Sequence, residues 1–368
     1  MKTKVAASDI TADLASSQCK LMKGNIAMVE AAVAAECRYF FGYPITPQNE
    51  VPARFAELMP AVKGTFVQAE SEVAAINMVY GAAAAGGRVM TSSSSPGISL
   101  KQEGISYIAA AELPCVIANM MRGGPGLGNI AASQSDYFQS CKGGGHGDYR
   151  LIVLAPSTVQ ELADLTFSAF TLAEKWRNPV MLLGDAVLAQ ITEPVVLPKG
   201  KTQHYKHDFI LDGCRGRKPR VVRTLWLKPD DAVEQHNIKL QQKYKKIAAE
   251  LNSWEEYCLD DAEVILTAYG SMSRIIRRVV DAGRHQGLRL GMLRPVTLWP
   301  FCTSVYKNRA EKKQVKYFLT VEMSYGQLVE DVKLSVNGCK PVYFYGRSGG
   351  GIPAEEQILA EIKRLNSL

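Results

Sequence analysis

Short apolar runs alternate with helix-period segments along nearly the whole chain, and this alternation limits the possible folds more than any other feature. Strands are expected at residues 38–43, 65–68, 88–92, 115–121, 153–156 and 179–183, separated by helices over 24–36, 47–56, 72–85, 99–111 and 158–174. Strands this uniformly apolar fit a parallel sheet covered by helices on both faces. A second series follows, with a strand from 263 running into a Gly-Ser turn at 270–271 and a helix to about 286, then strands at 290–293, 316–322 and 342–345 and a helix over 325–336. Between the two, periodicity gives way to charged, Pro- and Gly-punctuated sequence with one amphipathic helix over 231–251. The expected organisation is an α/β domain over 1–195, a basic linker over 196–258 and a smaller α/β domain over 259–368.

Composition removes several classes of function. With 47% apolar and 21% charged residues in 368, the chain is an ordinary globular sequence. The net charge of +7 suggests nucleic acid, but residues 201–250 alone carry 12 Lys/Arg against 6 Asp/Glu. A charged connector, or a docking surface for an acidic protein, explains that better than a nucleic-acid face, because no binding motif accompanies it. The eight cysteines are scattered without a C-x-x-C pair, so neither an iron–sulfur nor a zinc cassette is expected here, and no metal site. No apolar run is long enough to span a membrane, and Met1-Lys2-Thr3-Lys4 does not open a secretory segment. A cytoplasmic address is expected.

Two short motifs carry chemistry. Tyr43-Pro44-Ile45-Thr46-Pro47 follows a strand, with Thr46 expected to cap a helix that begins at Pro47. Such a threonine offers a hydroxyl at a helix N-terminus, suited to an anion, although a plain cap needs nothing more. Ser71-Glu72 opens an Ala/Gly-rich helix and puts a carboxylate in a dry place, which is also what a first-turn acid complementing the helix dipole would do. The pairing suits thiamine diphosphate, whose aminopyrimidine ring needs a single carboxylate for proton exchange. Glu70, two residues earlier, is expected to point elsewhere. Arg122 emerges from the carboxyl end of an apolar strand, where open α/β sheets bind ligands, and its guanidinium could grip a carboxylate.

These blocks, with Gln68-Ala69-Glu70-Ser71-Glu72, Thr91 to Gly97, Glu112-Leu113-Pro114-Cys115, Arg122-Gly123-Gly124-Pro125-Gly126 and Leu293-Arg294-Pro295, resemble the alpha subunit of the 2-oxoacid:ferredoxin oxidoreductases in family order. The resemblance spans almost the entire chain. It implies a pyrimidine-type thiamine diphosphate-binding fold followed by a transketolase C-terminal-like α/β domain. It also implies coenzyme A-dependent oxidative decarboxylation of a 2-oxoacid, with electrons passed to ferredoxin. By resemblance Glu72 activates the cofactor, Thr46 and Arg122 contact the oxoacid carboxylate, and Tyr43, Pro44, Ser95 and Gly97 belong to the cofactor site. The stretch from Gly124 to Gly128 is similar to that of branched-chain members, with Leu127 as an apolar wall, so 2-oxoisovalerate is the expected substrate. 2-Oxoglutarate and pyruvate are the alternatives.

Thiamine enzymes bind the diphosphate through Mg²⁺ on a Gly-Asp-Gly motif with a later Asn, and this chain lacks one. Gly184-Asp185-Ala186 is the nearest match, and Asp185 reads as an ordinary strand-end acid. Mg²⁺ and the iron–sulfur clusters are therefore expected on partner chains: a thiamine diphosphate-binding beta subunit, a gamma subunit and a ferredoxin-like subunit. His146 in a Gly-rich stretch could touch substrate or coenzyme A, and Ser271 or the turn from Gly346 to Gly351 an anion, though solvent exposure and turn geometry explain them equally. Two rivals stay open: a thiamine enzyme passing its intermediate to a sugar or lipoamide, and a non-catalytic scaffold.

Overall fold

The computed structural model describes residues 2–4, 19–200, 202–214 and 216–367. Most of the N-terminal stretch read as lacking a secretory segment lies outside them. The first part of the chain runs β1 (Lys2–Lys4), β2 (Cys19–Lys23), α1 (Gly24–Ala34), β3 (Tyr39–Gly42), α2 (Glu50–Leu58), β4 (Thr65–Gln68), α3 (Glu72–Ala84), β5 (Val89–Ser93) and α4 (Ser95–Ala110). It continues with β6 (Val116–Met121), α5 (Tyr137–Cys141), β7 (Ile152–Leu154), α6 (Val159–Trp176), β8 (Val180–Asp185), α7 (Ala186–Gln190) and β9 (Thr192–Val196). The remainder is α8 (Ala232–Glu250), β10 (Asn252–Tyr257), β11 (Val264–Thr267), α9 (Met272–His285), β12 (Leu290–Pro295) and β13 (Thr297–Trp299), then α10 (Thr303–Ala310), β14 (Tyr317–Glu322), α11 (Leu328–Val336), β15 (Val342–Gly346) and α12 (Glu355–Asn366).

Seven strands form one sheet in the order β13-β7-β8-β6-β5-β3-β4, parallel throughout except for β13 against β7. A six-stranded sheet runs β1-β10-β12-β11-β14-β15. β5, β6 and β8 are buried at every position, so their side chains face helices on both sides, which explains apolar runs without period-two alternation.

The sheets interlock across the boundaries expected from sequence. β10 lies inside the stretch read as linker yet pairs with β12, while β13 leaves the later series to extend the first sheet beside β7. One apolar core joins both units: the Tyr137 and Tyr269 rings lie 5.7 Å apart within it. Gln134, fully buried, donates from Nε2 to Tyr269 O at 2.8 Å and accepts from Met323 N at 3.1 Å, fixing the second unit to the loop after β6. Arg294, from the Leu293-Arg294-Pro295 block, bonds Glu161 of α6 at 2.5 Å and Glu255 of β10 at 3.2 Å, so its role is to tie the units together.

Two helix starts differ from expectation. α4 begins at Ser95 rather than 99, with Pro96 in its first turn, where a missing N–H costs nothing. α2 begins at Glu50, not Pro47, and Thr46 does not cap it. The reason is tertiary: Asn25 Nδ2 and Gln190 Nε2 donate to Pro47 O at 2.9 and 2.8 Å, holding residues 47–49 in a turn.

Candidate active site

The carboxyl ends of β3, β4, β5 and β6 open on one edge of the parallel sheet, and the residues singled out by sequence leave from that edge. Thr46 lies four residues past β3, Glu72 four past β4, Ser95 two past β5 and Arg122 immediately after β6.

Glu72 is the first residue of α3. Its neighbour Ser71 is extended and its hydroxyl accepts from Ala74 N at 3.1 Å, a helix N-cap that fixes where the carboxylate leaves the backbone. Glu72 is 6% exposed. Gly97, in the first turn of α4, packs directly on it: a Cβ there would lie 2.5 Å from Glu72 Oε1 and 2.1 Å from Ser93 Oγ. The buried hydroxyls of Ser93, which the same Cβ would meet, and of its neighbour Ser94 have no hydrogen-bond partner among the described residues. A dry carboxylate, two unpaired hydroxyls and a glycine that keeps the backbone close fit a nitrogen heterocycle carrying both donors and acceptors, as the aminopyrimidine of thiamine diphosphate does.

Arg122, also buried, spans two loops: Nη1 donates to Thr46 O at 3.0 Å and Nη2 to Leu127 O at 3.0 Å, while Nε is buried without a partner among the described residues. It thereby locks the Thr46 loop to the Gly-rich loop and keeps donors in reserve. The Thr46 hydroxyl accepts from Asn49 Nδ2 at 3.3 Å. Behind Arg122, Ser95 Oγ accepts from Arg122 N at 3.0 Å and donates to Asp136 Oδ2 at 2.7 Å, which also accepts from Asn119 Nδ2 at 2.9 Å. Burial raises the Asp136 carboxyl above its usual range, opposed by those two hydrogen bonds. Sequence reasoning missed Asp136 and Asn119. An asparagine inside the apolar run of β6 was the available signal.

Beside Thr46 opens a cleft of about 500 Å³, lined by Glu50, Ile130, Val187 and Gln190 and, from the second unit, Gly350 and Ile352. Asn129 Nδ2 donates to Gly349 O at 3.0 Å, so the glycine turn after β15 borders this cleft. Leu127 does not line it: the side chain is 80% exposed, because its backbone carbonyl turns inward to Arg122. Tyr43, 38% exposed, and the half-buried Pro44 precede the Thr46 loop and do not line the cleft. Glu70 and His146 are exposed, and the His146 ring packs edge-on against Tyr107. Asp185 caps α7 through Val187 N and Leu188 N and accepts from Ser271 Oγ at 2.5 Å, so both residues are structural clamps between the units.

Comparison with known proteins gives the family and the fold. A family model described as pyruvate flavodoxin/ferredoxin oxidoreductase, thiamine diphosphate-binding, matches residues 30–259. Another, pyruvate:ferredoxin oxidoreductase core domain II, matches 262–358. The chain is 48% identical to ketoisovalerate oxidoreductase subunit VorB of Methanothermobacter marburgensis, over 94% of this chain and 97% of that protein. It is 34% identical to 2-oxoglutarate synthase subunit KorA of Methanocaldococcus jannaschii, over 92% and 98%. The 2-oxoglutarate:ferredoxin oxidoreductase from Magnetococcus marinus, solved with 2-oxoglutarate, coenzyme A and succinyl-CoA bound, superposes with a TM-score of 0.83 at 26% identity, covering 94% of this chain and 65% of that one. A split-gene transketolase shares the fold at a TM-score of 0.59 and 12% identity. The α/β architecture is thus that of thiamine diphosphate-binding proteins, and the chain belongs to the 2-oxoacid:ferredoxin oxidoreductase family, as a subunit of a multi-subunit oxidoreductase.

Proposed function

We propose that this chain is the alpha subunit of an enzyme that oxidatively decarboxylates a branched-chain 2-oxoacid, 2-oxoisovalerate foremost, to an acyl-CoA and carbon dioxide, with electrons leaving to ferredoxin. The observation that carries this reading is the convergence of buried Glu72, buried Arg122 and the Thr46 loop on one strand-end edge. Thiamine diphosphate, when bound, supplies the nucleophilic carbon and the electron sink for decarboxylation. Glu72 holds and returns the proton at the aminopyrimidine ring, with the Ser93 and Ser94 hydroxyls available to its remaining polar atoms. Ser95 and Gly97 shape the α4 N-terminus against it, and Tyr43 and Pro44 border the cofactor side. Thr46 and the free donors of Arg122 orient the oxoacid carboxylate, while Leu127 and Ile130 on the exposed Gly-rich loop offer an apolar wall where a partner closes over it.

The identity to a ketoisovalerate oxidoreductase subunit, higher than to the 2-oxoglutarate synthase subunit, supports the branched-chain assignment. We assign Mg²⁺ and the iron–sulfur clusters to partner chains: a beta subunit holding the diphosphate, a gamma subunit and a ferredoxin-like subunit. No described helix is long and apolar enough to cross a membrane, and we place the complex in the cytoplasm.

The test is purification of the complex through this chain, followed by acyl-CoA formation from 2-oxoisovalerate, 2-oxoglutarate and pyruvate with a one-electron dye. The highest kcat/KM is expected with 2-oxoisovalerate. A rate on 2-oxoglutarate equal to or above it removes the branched-chain assignment, and a copurifying lipoyl protein in place of a ferredoxin-like subunit removes the electron route.

A further inference from the structure

Lys101 has no place in the machinery described so far, yet it is fully buried. It lies on the inward stripe of α4 with Ile98, Gln102, Ile105 and Ile108, one helical turn beyond Gly97, the residue that packs on the Glu72 carboxylate. An ammonium has three donors, and here the hydrogen-bond partner is a neutral hydroxyl, Thr91 Oγ1 on β5 at 3.1 Å. Among the described residues no carboxylate comes within ion-pair distance of it. The turn of α4 just before it packs on Glu72 of α3, the carboxylate whose negative charge raises the Lys101 titration against the effect of burial. A buried cation on one neutral partner is unfavourable unless an opposite charge shares its low-dielectric surroundings, and methionine would fill the same space without that cost.

We propose that Lys101 is a positioning residue for Glu72: its ammonium, set into the core behind the site, supplies the positive field that holds the Glu72 carboxylate in place and directed at the cofactor. This rests on the catalytic reading of Glu72. Opposite charges attract in a dry site, so the titration of Lys101 depends on the negative charge of Glu72. Burial pushes the Lys101 ammonium down to about 8, and Glu72 pulls it upward. A base depressed in the folded state makes stability rise as pH climbs from that folded value toward its ordinary 10.5.

The first readout needs no turnover. Melting temperature is measured against pH for the cofactor-free complex as wild type, Glu72→Gln and Lys101→Met. A rise setting in near pH 8 is expected in wild type, onset at lower pH in Glu72→Gln, and loss of that component in Lys101→Met. The second readout is the pH profile of kcat/KM in the complete complex, whose acidic limb is expected to move upward in Lys101→Met. If Lys101→Met does not assemble, wild type against Glu72→Gln still measures the coupling. The same onset in both, or an unmoved acidic limb in Lys101→Met, overturns the inference. Glu72→Gln abolishing turnover while that limb stays in place rejects Lys101 alone, whereas Glu72→Gln with full turnover rejects the reading of Glu72 beneath it.

Discussion

Replacing Gly97 by alanine tests the geometry around Glu72 with a single added carbon. The new Cβ would stand 2.5 Å from Glu72 Oε1, 3.0 Å from its Cγ and 2.1 Å from Ser93 Oγ, against an ordinary contact of at least 3.4 Å. Ser93 can rotate away, because its hydroxyl has no partner. Glu72 has less freedom, since Ser71 caps α3 and fixes its backbone, so the carboxylate has to retreat by roughly 1 Å. A displacement of that size at reacting groups costs on the order of 100-fold in rate, about 2.7 kcal/mol of barrier. Overpacking also destabilises by about 1–3 kcal/mol. The control is Gly81→Ala on α3, the helix that carries Glu72, where a Cβ meets nothing within 4 Å. That change is expected to leave kcat/KM alone and to stabilise by about 0.4–1 kcal/mol. Oxoacid-dependent dye reduction by the reconstituted complex, with calorimetry, reads both effects. A Gly97→Ala enzyme within about threefold of wild-type kcat/KM would refute the placement of Glu72 against α4 as the determinant of rate.

Other expectations concern the arginines. Arg122→Lys should fail to rescue Arg122→Met, because an ammonium cannot bridge the Thr46 and Leu127 carbonyls as the guanidinium fork does; KM for the oxoacid should rise on the order of 10- to 100-fold in steady-state assays. Arg88 binds Glu174 bidentately, at 2.6 and 3.0 Å, below the amino end of β5 and away from the site. Arg88→Met should therefore cost about 3–5 kcal/mol in denaturant titration, while kcat/KM of the folded enzyme stays at wild type. Burial alone would raise Glu161, but Arg294 and Ser157 bring its carboxyl below the ordinary 4.5. A depressed carboxyl contributes stability that is complete above that ordinary value and fades as pH falls through the folded one. Arg294→Met should accordingly move the acid-unfolding midpoint upward in a pH series of melting curves, and an unchanged midpoint would count against the clamp.

The fold was legible because it rests on local signals. Apolar strands such as Val116–Met121 and the cap-plus-acid pair Ser71-Glu72 announce themselves within a few residues. What stayed hidden depends on distant partners. Thr46 looks like a cap until Asn25 and Gln190, 22 and 143 residues from Pro47, hold the Pro47 carbonyl in a turn. Gln134 pairs with Tyr269 and Met323, 135 and 189 positions away, so nothing nearby marks it as the joint between units. Leu127 shows that an apolar residue in a glycine loop says little about its direction, because its backbone carbonyl rather than its side chain is drawn inward. Lys101 was readable in principle as a lysine on an otherwise inward stripe, spaced 98, 101, 102, 105 and 108.

The most direct measurement is turnover by Glu72→Gln in the assembled complex, alongside cofactor affinity and subunit stoichiometry. Removing a general acid–base group while preserving shape should lower kcat by about 10²–10⁴-fold with assembly intact. Wild-type turnover from that variant would contradict the assignment of this carboxylate to catalysis and leave the chain a scaffold.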